Sequence, residues 1–212
     1  MIDETTPAIS TKSADGSPWT SFTESRSLSD LGLLCLRVVL GFELFAHGMQ
    51  KFGLFGGTVG FDGKEVTGAA AVNAQADFLG LLDYHPTTAL SWFLTFTELG
   101  AGLLLMAGLL TPLAAGALIG DMFNLIFGML WQQGWFGAGT GYEFAVVMLG
   151  AGVAVSLLGP GRYSVDGALG WRLRGVPWGV IGVALGLIVG LFVLVVLGPG
   201  FGGADIPPPE GG

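Results

Sequence analysis

Ionisable residues recur along one apolar stretch near the start of the chain, LRVVLGFELFAHGMQK. Arg37, Glu43, His47 and Lys51 fall within an arc of about 120° on a helix, so one helix face can carry all of them. A carboxylate and an imidazole on the same face can pass a proton to a bound ligand. The stretch therefore predicts a proton-transfer site in apolar surroundings.

Two further carboxylates, Glu98 and Asp121, each lie near the middle of a long apolar run. A charge that faces lipid costs several kcal/mol, so we expect these carboxylates to face the protein interior. A buried guanidinium needs a carboxylate partner. We predict that Arg37 pairs with Glu98 or Asp121 and that these residues form a chiefly structural polar cluster.

The candidate catalytic residues are His47, Glu43 and Glu143, with His47 paired to Glu43 or Glu143. Their best candidate ligand is a quinone, because a quinone ring needs apolar or aromatic walls and a proton carrier at each carbonyl. The candidate walls of this quinone slot are Phe42, Phe45, Met49, Trp131 and Trp135. The opposing hypothesis is that the buried acids and bases only fix how the helices pack.

Other redox and metal chemistry has weaker support. Thiol-disulfide exchange needs two cysteines or one activated cysteine, whereas Cys35 is the only cysteine and lies in an apolar run, which favours a packing role. The two histidines, His47 and His85, have no metal-ligand spacing, so no metal site is expected unless Glu43, His47 and Glu143 converge.

The composition is that of an integral membrane protein. Hydrophobic residues make up 51% of the chain and charged residues 11%, against about 25% charged in a soluble domain. The lipid bilayer is therefore the first expected partner. The net charge of -8 argues against nucleic acid as a partner.

The apolar runs predict an all-α, polytopic membrane helix bundle. The expected membrane helices span residues 31–50, 88–110, 112–131, 142–158 and 176–198. The first four form a core over residues 30–170, with an outer-side loop at 51–87, and the last is a fifth, C-terminal transmembrane helix. Residues 1–29 and the Gly/Pro-rich residues 199–212 are expected to be disordered tails.

Glycine-rich aromatic loops at 52–86 and 131–143 are expected either to anchor at the membrane interface or to cover a ligand site. The orientation in the membrane follows from the Lys and Arg residues in the short flanks of the helices. Five of these basic residues lie on one side of the membrane and two on the other. The inner set is Lys12, Arg26, Arg162, Arg172 and Arg174, and the outer set is Lys51 and Lys64. The predicted topology has a cytoplasmic N-terminus and an external C-terminus.

Glycines repeat at four-residue spacing in two of the predicted helices, as Gly182, Gly186 and Gly190 and as Gly116 and Gly120. Such repeats form grooves that allow close helix approach. The sequence leaves open whether the fifth helix packs on its own core or on a partner, and it leaves the oligomeric state open.

Three segments in order, LRVVLGFELFAHGMQKFGLFGG, TELGAGLLLMAGLLTPLAA and GYEFAVVMLGAGVAVSLLGPGRYSVDG, resemble the DoxX family of small bacterial membrane proteins. The resemblance covers about residues 31–168. The recurring polar positions of the family correspond to Arg37, His47, Gly48, Lys51, Glu98, Thr111, Pro112, Glu143, Gly159, Gly161, Arg162, Ser164 and Asp166.

Members of this family resemble the membrane subunit of a thiosulfate:quinone oxidoreductase. The resemblance thus implies a subunit of a membrane oxidoreductase complex in the bacterial plasma membrane, facing quinone and bound to other redox or respiratory subunits. It brings no agreed catalytic mechanism, so whether the protein is an enzyme stays open. The alternative is a non-catalytic scaffold, accessory or assembly subunit of such a complex.

Overall fold

The computed structural model describes residues 22–56, 58–59, 65–136, 141–171 and 176–203. The all-α prediction is confirmed, apart from a short antiparallel hairpin whose two strands, β1 (Thr58–Val59) and β2 (Glu65–Val66), have two residues each. The helices are α1 (Phe22–Gln50), α2 (Ala69–Leu81), α3 (Thr87–Ala107), α4 (Thr111–Asn124), α5 (Glu143–Leu158), α6 (Val165–Ala168) and α7 (Val176–Phe192). Wider helical turns extend α4 through Leu125–Leu130 and α7 through Val193–Leu197.

Among the described residues, three helices are long and apolar enough to cross a membrane: Thr87–Ala107, Thr111–Gln133 and Pro177–Leu197. They correspond to the second, third and fifth predicted spans. The chain is therefore a multi-pass membrane protein. Helix α5, Glu143–Leu158, is apolar but shorter.

Helix α4 lies at the centre of the bundle, packed against α3, α5 and α7, while α1 packs along α3. The main core gathers buried side chains from α1, α3, α4 and α5, including Leu44, Leu105, Leu118 and Met148. A second core, with Leu79, Tyr84 and Val193, joins α2 to the start of α3 and the end of α7.

The close contact of α4 with α7 shows where the fifth predicted helix packs. A Cβ added at Gly116 would lie 2.5 Å from the carbonyl oxygen of Gly182, and one at Gly120 would lie 2.8 Å from that of Gly186. Both distances are too short for a side chain. The two glycine repeats therefore face each other, and α7 packs on the core of its own chain.

Several boundaries differ from the sequence expectation. Helix α1 begins at Phe22 rather than residue 31, so the end of the predicted N-terminal tail is helical. The predicted outer loop at 51–87 contains α2, which packs on α3. In the predicted C-terminal tail, Phe201 packs edge-on against Phe123 and Phe127. Residues 1–21 and 204–212 lie outside the described residues.

Candidate functional site

A cavity of about 220 Å³ lies inside the bundle, between α1, α2, α3, α4, α5 and the end of α7. Its polar wall includes Glu43 and His47 from α1, Gln75 from α2, Glu98 from α3 and Asp121 from α4. Its remaining walls are chiefly apolar, with Leu44, Met122, Leu125, Met129, Phe144 and Met148. The cavity can therefore hold a molecule that has both polar and apolar faces.

Glu43 and His47 form the pair nearest the surface of this cavity. They are one helical turn apart on α1, which places both on one face, and Nε2 of His47 lies 3.4 Å from Oε1 of Glu43. Their side chains are 40% and 56% exposed, respectively. Of the two alternatives for His47, the structure shows the pairing with Glu43.

Lys51 supplies the deeper charge pair. Its ammonium group donates a hydrogen bond to Oε2 of Glu98, and the two residues are only 6% and 9% exposed. Asp121 interacts electrostatically with both Glu98 and Lys51. One ammonium group can neutralise only one of these two carboxylates at a time. In the part of the chain that the structure describes, no hydrogen bond reaches the carboxylate of Asp121.

The predicted pairing of Arg37 with Glu98 or Asp121 is wrong. Arg37 is fully buried, and its guanidinium donates to the carbonyl oxygens of Leu105, at 3.3 Å, and of Tyr163. The antiparallel alignment of α1 and α3 explains the difference, because Glu98 and Leu105 are about 10 Å apart along α3. Arg37 therefore reaches the C-terminal end of α3, whereas Lys51 reaches its middle.

A second polar network surrounds Arg37, where α3 ends and α4 begins. Asp166 accepts hydrogen bonds from the backbone nitrogens of Leu110, at 2.9 Å, and Thr111, at 3.0 Å, and from Oγ1 of Thr111 at 3.1 Å. Its negative charge also attracts Arg37. Gly108 leaves room for this network, since a Cβ there would overlap the guanidinium.

We expect Asp166→Asn to lower the free energy of unfolding by about 1–3 kcal/mol, because the amide loses the charge that faces Arg37 and one acceptor position. The measurement is thermal stability in detergent. Asp83→Asn is the matched control, since the side chain of Asp83 is 78% exposed. Equal stability of the two variants would contradict a structural role for Asp166.

The other predicted site residues lie elsewhere. Glu143 is exposed at the start of α5, where the neighbouring Phe144 lines the cavity instead. None of the predicted quinone-slot residues, Phe42, Phe45, Met49, Trp131 and Trp135, is among the residues lining the cavity. Cys35 is exposed, so the predicted core-packing role is wrong.

Three aromatic residues of the predicted slot, Phe42, Trp131 and Trp135, instead belong to two separate groups of ring contacts. Phe42 packs edge-on against Phe55, with ring centroids 5.6 Å apart. Trp131 stacks on Tyr142 at 5.6 Å with an interplanar angle of 9°, and Trp135 meets the same tyrosine edge-on. The two tryptophan contacts hold Trp131 and Trp135 against Tyr142, the residue before α5.

Tyr84, which the sequence did not single out, lines the cavity between α2 and α3. Burial raises the pKa of Tyr84 to about 12, so its phenol stays protonated through the physiological range. Its hydroxyl lies 3.4 Å from Oδ1 of Asn124. The amide nitrogen of Asn124 donates to the carbonyl oxygens of Gly120, at 3.1 Å, and Gly190, at 2.9 Å.

The cavity thus combines the surface pair of Glu43 and His47 with the inner carboxylates of Glu98 and Asp121, while Lys51 bonds Glu98 from outside the cavity lining. This arrangement can accept and release protons and can donate hydrogen bonds to a carbonyl or hydroxyl group. In the described ranges, no group of three or more His, Cys, Asp or Glu side chains is arranged to hold a metal ion.

Comparison with known protein families identifies a match over the first part of the bundle. The model of the DoxX family matches residues 32–131, from α1 to the end of the extended α4. The match starts one residue after the predicted resemblance and ends well before residue 168. No curated protein and no solved structure matches the chain significantly.

Proposed function

Because residues 32–131 form a DoxX family domain, in a multi-pass membrane protein, we propose that the chain is the quinone-facing membrane subunit of an oxidoreductase complex. The observation that supports this proposal most directly is the two-sided cavity, with carboxylates, an imidazole and an amide on one wall and leucine, methionine and phenylalanine side chains on the others. A quinone head group likewise has polar and apolar surfaces, because it carries polar carbonyl oxygens on an otherwise apolar ring.

In this proposal the cavity residues handle protons. Reduction of a quinone to a quinol takes two electrons, which a redox centre of a partner subunit supplies, and two protons. His47 and Glu43 exchange protons with water because both are partly exposed. Asp121, beside the Lys51–Glu98 pair, delivers a proton inside the cavity. Glu143 has no part in this route because it does not line the cavity.

We further propose that α1 and α5 cross the bilayer with α3, α4 and α7, which gives a four-helix core plus a fifth helix. The N-terminus is then cytoplasmic and the C-terminus external, since five of the flanking basic residues lie on the cytoplasmic side. The membrane is the bacterial plasma membrane, as for the family that the sequence resembles. Glu43 and His47 then lie near the outer leaflet.

A scaffold or assembly subunit is the second candidate function. It is favoured by the internal pairing of two deep charges, because Lys51 bonds Glu98 and Arg37 bonds backbone carbonyls of α3 and of the segment before α6. Such pairs stabilise a helix arrangement without any ligand. The two functions differ in whether the cavity binds a quinone.

The test is a titration of the purified protein with 2,3-dimethoxy-5-methyl-1,4-benzoquinone, followed by quenching of tryptophan fluorescence. We expect saturable binding that His47→Gln weakens by roughly tenfold, the equivalent of one lost hydrogen bond. His85→Gln is the matched control, because His85 is 72% exposed and does not line the cavity. Absence of saturable binding, together with co-purification of an oxidoreductase, would leave the scaffold function.

A further inference from the structure

A second pocket lies on the outside of the bundle, between α3, α4 and α7. It is a groove of about 240 Å³ whose floor is formed by the close α4–α7 contact at Gly116, Gly120, Gly186 and Gly190. Its rim consists of apolar side chains that are exposed on the bundle surface: Phe93, Leu113, Leu185 and Val189. In a bilayer this rim faces lipid chains rather than water.

The groove and the cavity are neighbours that share part of their lining. Four residues, Leu94, Asp121, Asn124 and Val193, line both of them. Asp121 and Asn124 are the polar members, whereas Leu94 and Val193 give this boundary an apolar side. A molecule that contacts Asp121 from the cavity is therefore one side chain away from a surface that opens toward lipid.

We propose that the groove holds the hydrocarbon chain of an amphiphilic ligand whose polar head occupies the cavity. The ligand enters sideways from the bilayer between α3 and α7, and its chain passes the boundary at Leu94 and Val193. This inference rests on the proposed function, because it takes the cavity as the head-group site.

The size of the groove supports a single chain as its occupant. A helix of a partner protein, about 10–12 Å in diameter, does not fit a volume of about 240 Å³. Small-molecule sites are usually about 300–1,000 Å³, so the groove and the cavity are each small for a complete ligand. Taken together they reach the usual range, as expected if one ligand occupies both.

The lining of the groove also fits this chain. The polar side chains in it, Thr97, Asp121 and Asn124, leave most of the wall to phenylalanine, leucine, valine, alanine and glycine. Methylene groups there gain van der Waals contacts with the apolar wall, whereas the hydrophobic effect adds little because the chain comes from lipid or detergent rather than from water. A charged or strongly hydrated ligand segment would gain nothing from this surface.

The experiment compares two probes, 2,3-dimethoxy-5-methyl-1,4-benzoquinone without a tail and the same ring carrying a decyl chain. Ala117→Phe fills the groove without altering the cavity, because Ala117 lines only the groove. We expect this variant to weaken binding of the decyl probe by tenfold or more and that of the tail-less probe by less than twofold. The matched control is Val147→Phe, on the exposed surface of α5 and away from the groove, which should change neither.

Leu185→Trp provides a second groove variant at the exposed rim if Ala117→Phe does not fold. Normal binding of the decyl probe to a folded groove variant would overturn the inference. An equal loss of affinity for both probes would overturn it as well. The proposed function would stand in both cases. Failure of both probes to bind the unaltered protein would instead contradict the proposed function. The unaltered protein could instead retain a phospholipid that is lost in Ala117→Phe and that the decyl probe does not displace. That result would assign the groove to structural lipid and overturn the inference.

Discussion

Lys51→Met should lower the free energy of unfolding by about 3–5 kcal/mol, because it removes the only ammonium group placed against the carboxylates of Glu98 and Asp121 in the part of the chain that the structure describes. Lys51 and Glu98 are both almost fully buried, so water cannot replace the lost partner. The measurement is thermal or denaturant unfolding in detergent. Glu65→Gln, an exposed charge change on β2, is the control.

The double variant Lys51→Met/Glu98→Leu separates the pair from the individual charges. Removing both partners leaves no stranded carboxylate at residue 98, so the double variant should be more stable than Lys51→Met alone. A double variant as unstable as the single one, or less stable, would show that the cost does not come from the unpaired Glu98. The loss would then have to be assigned to packing of the lysine side chain.

Gly186→Leu should prevent the close packing of α4 and α7 and should cost about 3 kcal/mol or more. A Cβ at this position would overlap the backbone carbonyl oxygen of Gly116, which cannot move without displacing α4. The readout is the yield of folded protein after size-exclusion chromatography. Gly150→Leu is the matched control, because a Cβ at Gly150 has no atom within 4 Å.

A different result for Gly186→Leu would change the partner that we assign to the glycine face of α7. Normal folding of this variant with release of associated subunits would mean that the glycine face binds a partner rather than α4. The contact of Gly120 with Gly186 and Gly190 makes loss of the folded protein the expected result.

The sequence predicts which charges are buried better than it predicts their partners. The cost of a lipid-facing charge is enough to place Arg37 and Glu98 inside, as found. The partner depends on how α1 and α3 align, and a single sequence does not encode that alignment in any local pattern. Asp166 entered the sequence analysis only through the family resemblance, and Lys51 was placed on the polar face of the first helix without a partner, although both are buried in the structure.

Helix α2 shows a different reason for a missed element. Its buried residues Ala71, Val72, Ala76 and Leu79 recur at helical spacing, so the signal was present. Two of them are alanines, and the glycine-rich stretch before them is typical of a loop. The wall that Gln75 and Leu79 give the cavity was therefore not predicted, whereas the Glu43–His47 pair, one turn apart on a single helix, needed no tertiary information.

The hydrogen bond from Asn124 to Gly190 joins α4 and α7 across their glycine contact. Glycines four residues apart nearly repeat with the helical turn, so a slip of α7 by one turn would again place glycine opposite Gly116. The glycine contacts alone are therefore almost degenerate between neighbouring registers. In the observed register the amide nitrogen of Asn124 donates to the carbonyl of Gly190, and a slip of about 5.4 Å would break this bond and require the carbonyl one turn away to replace it.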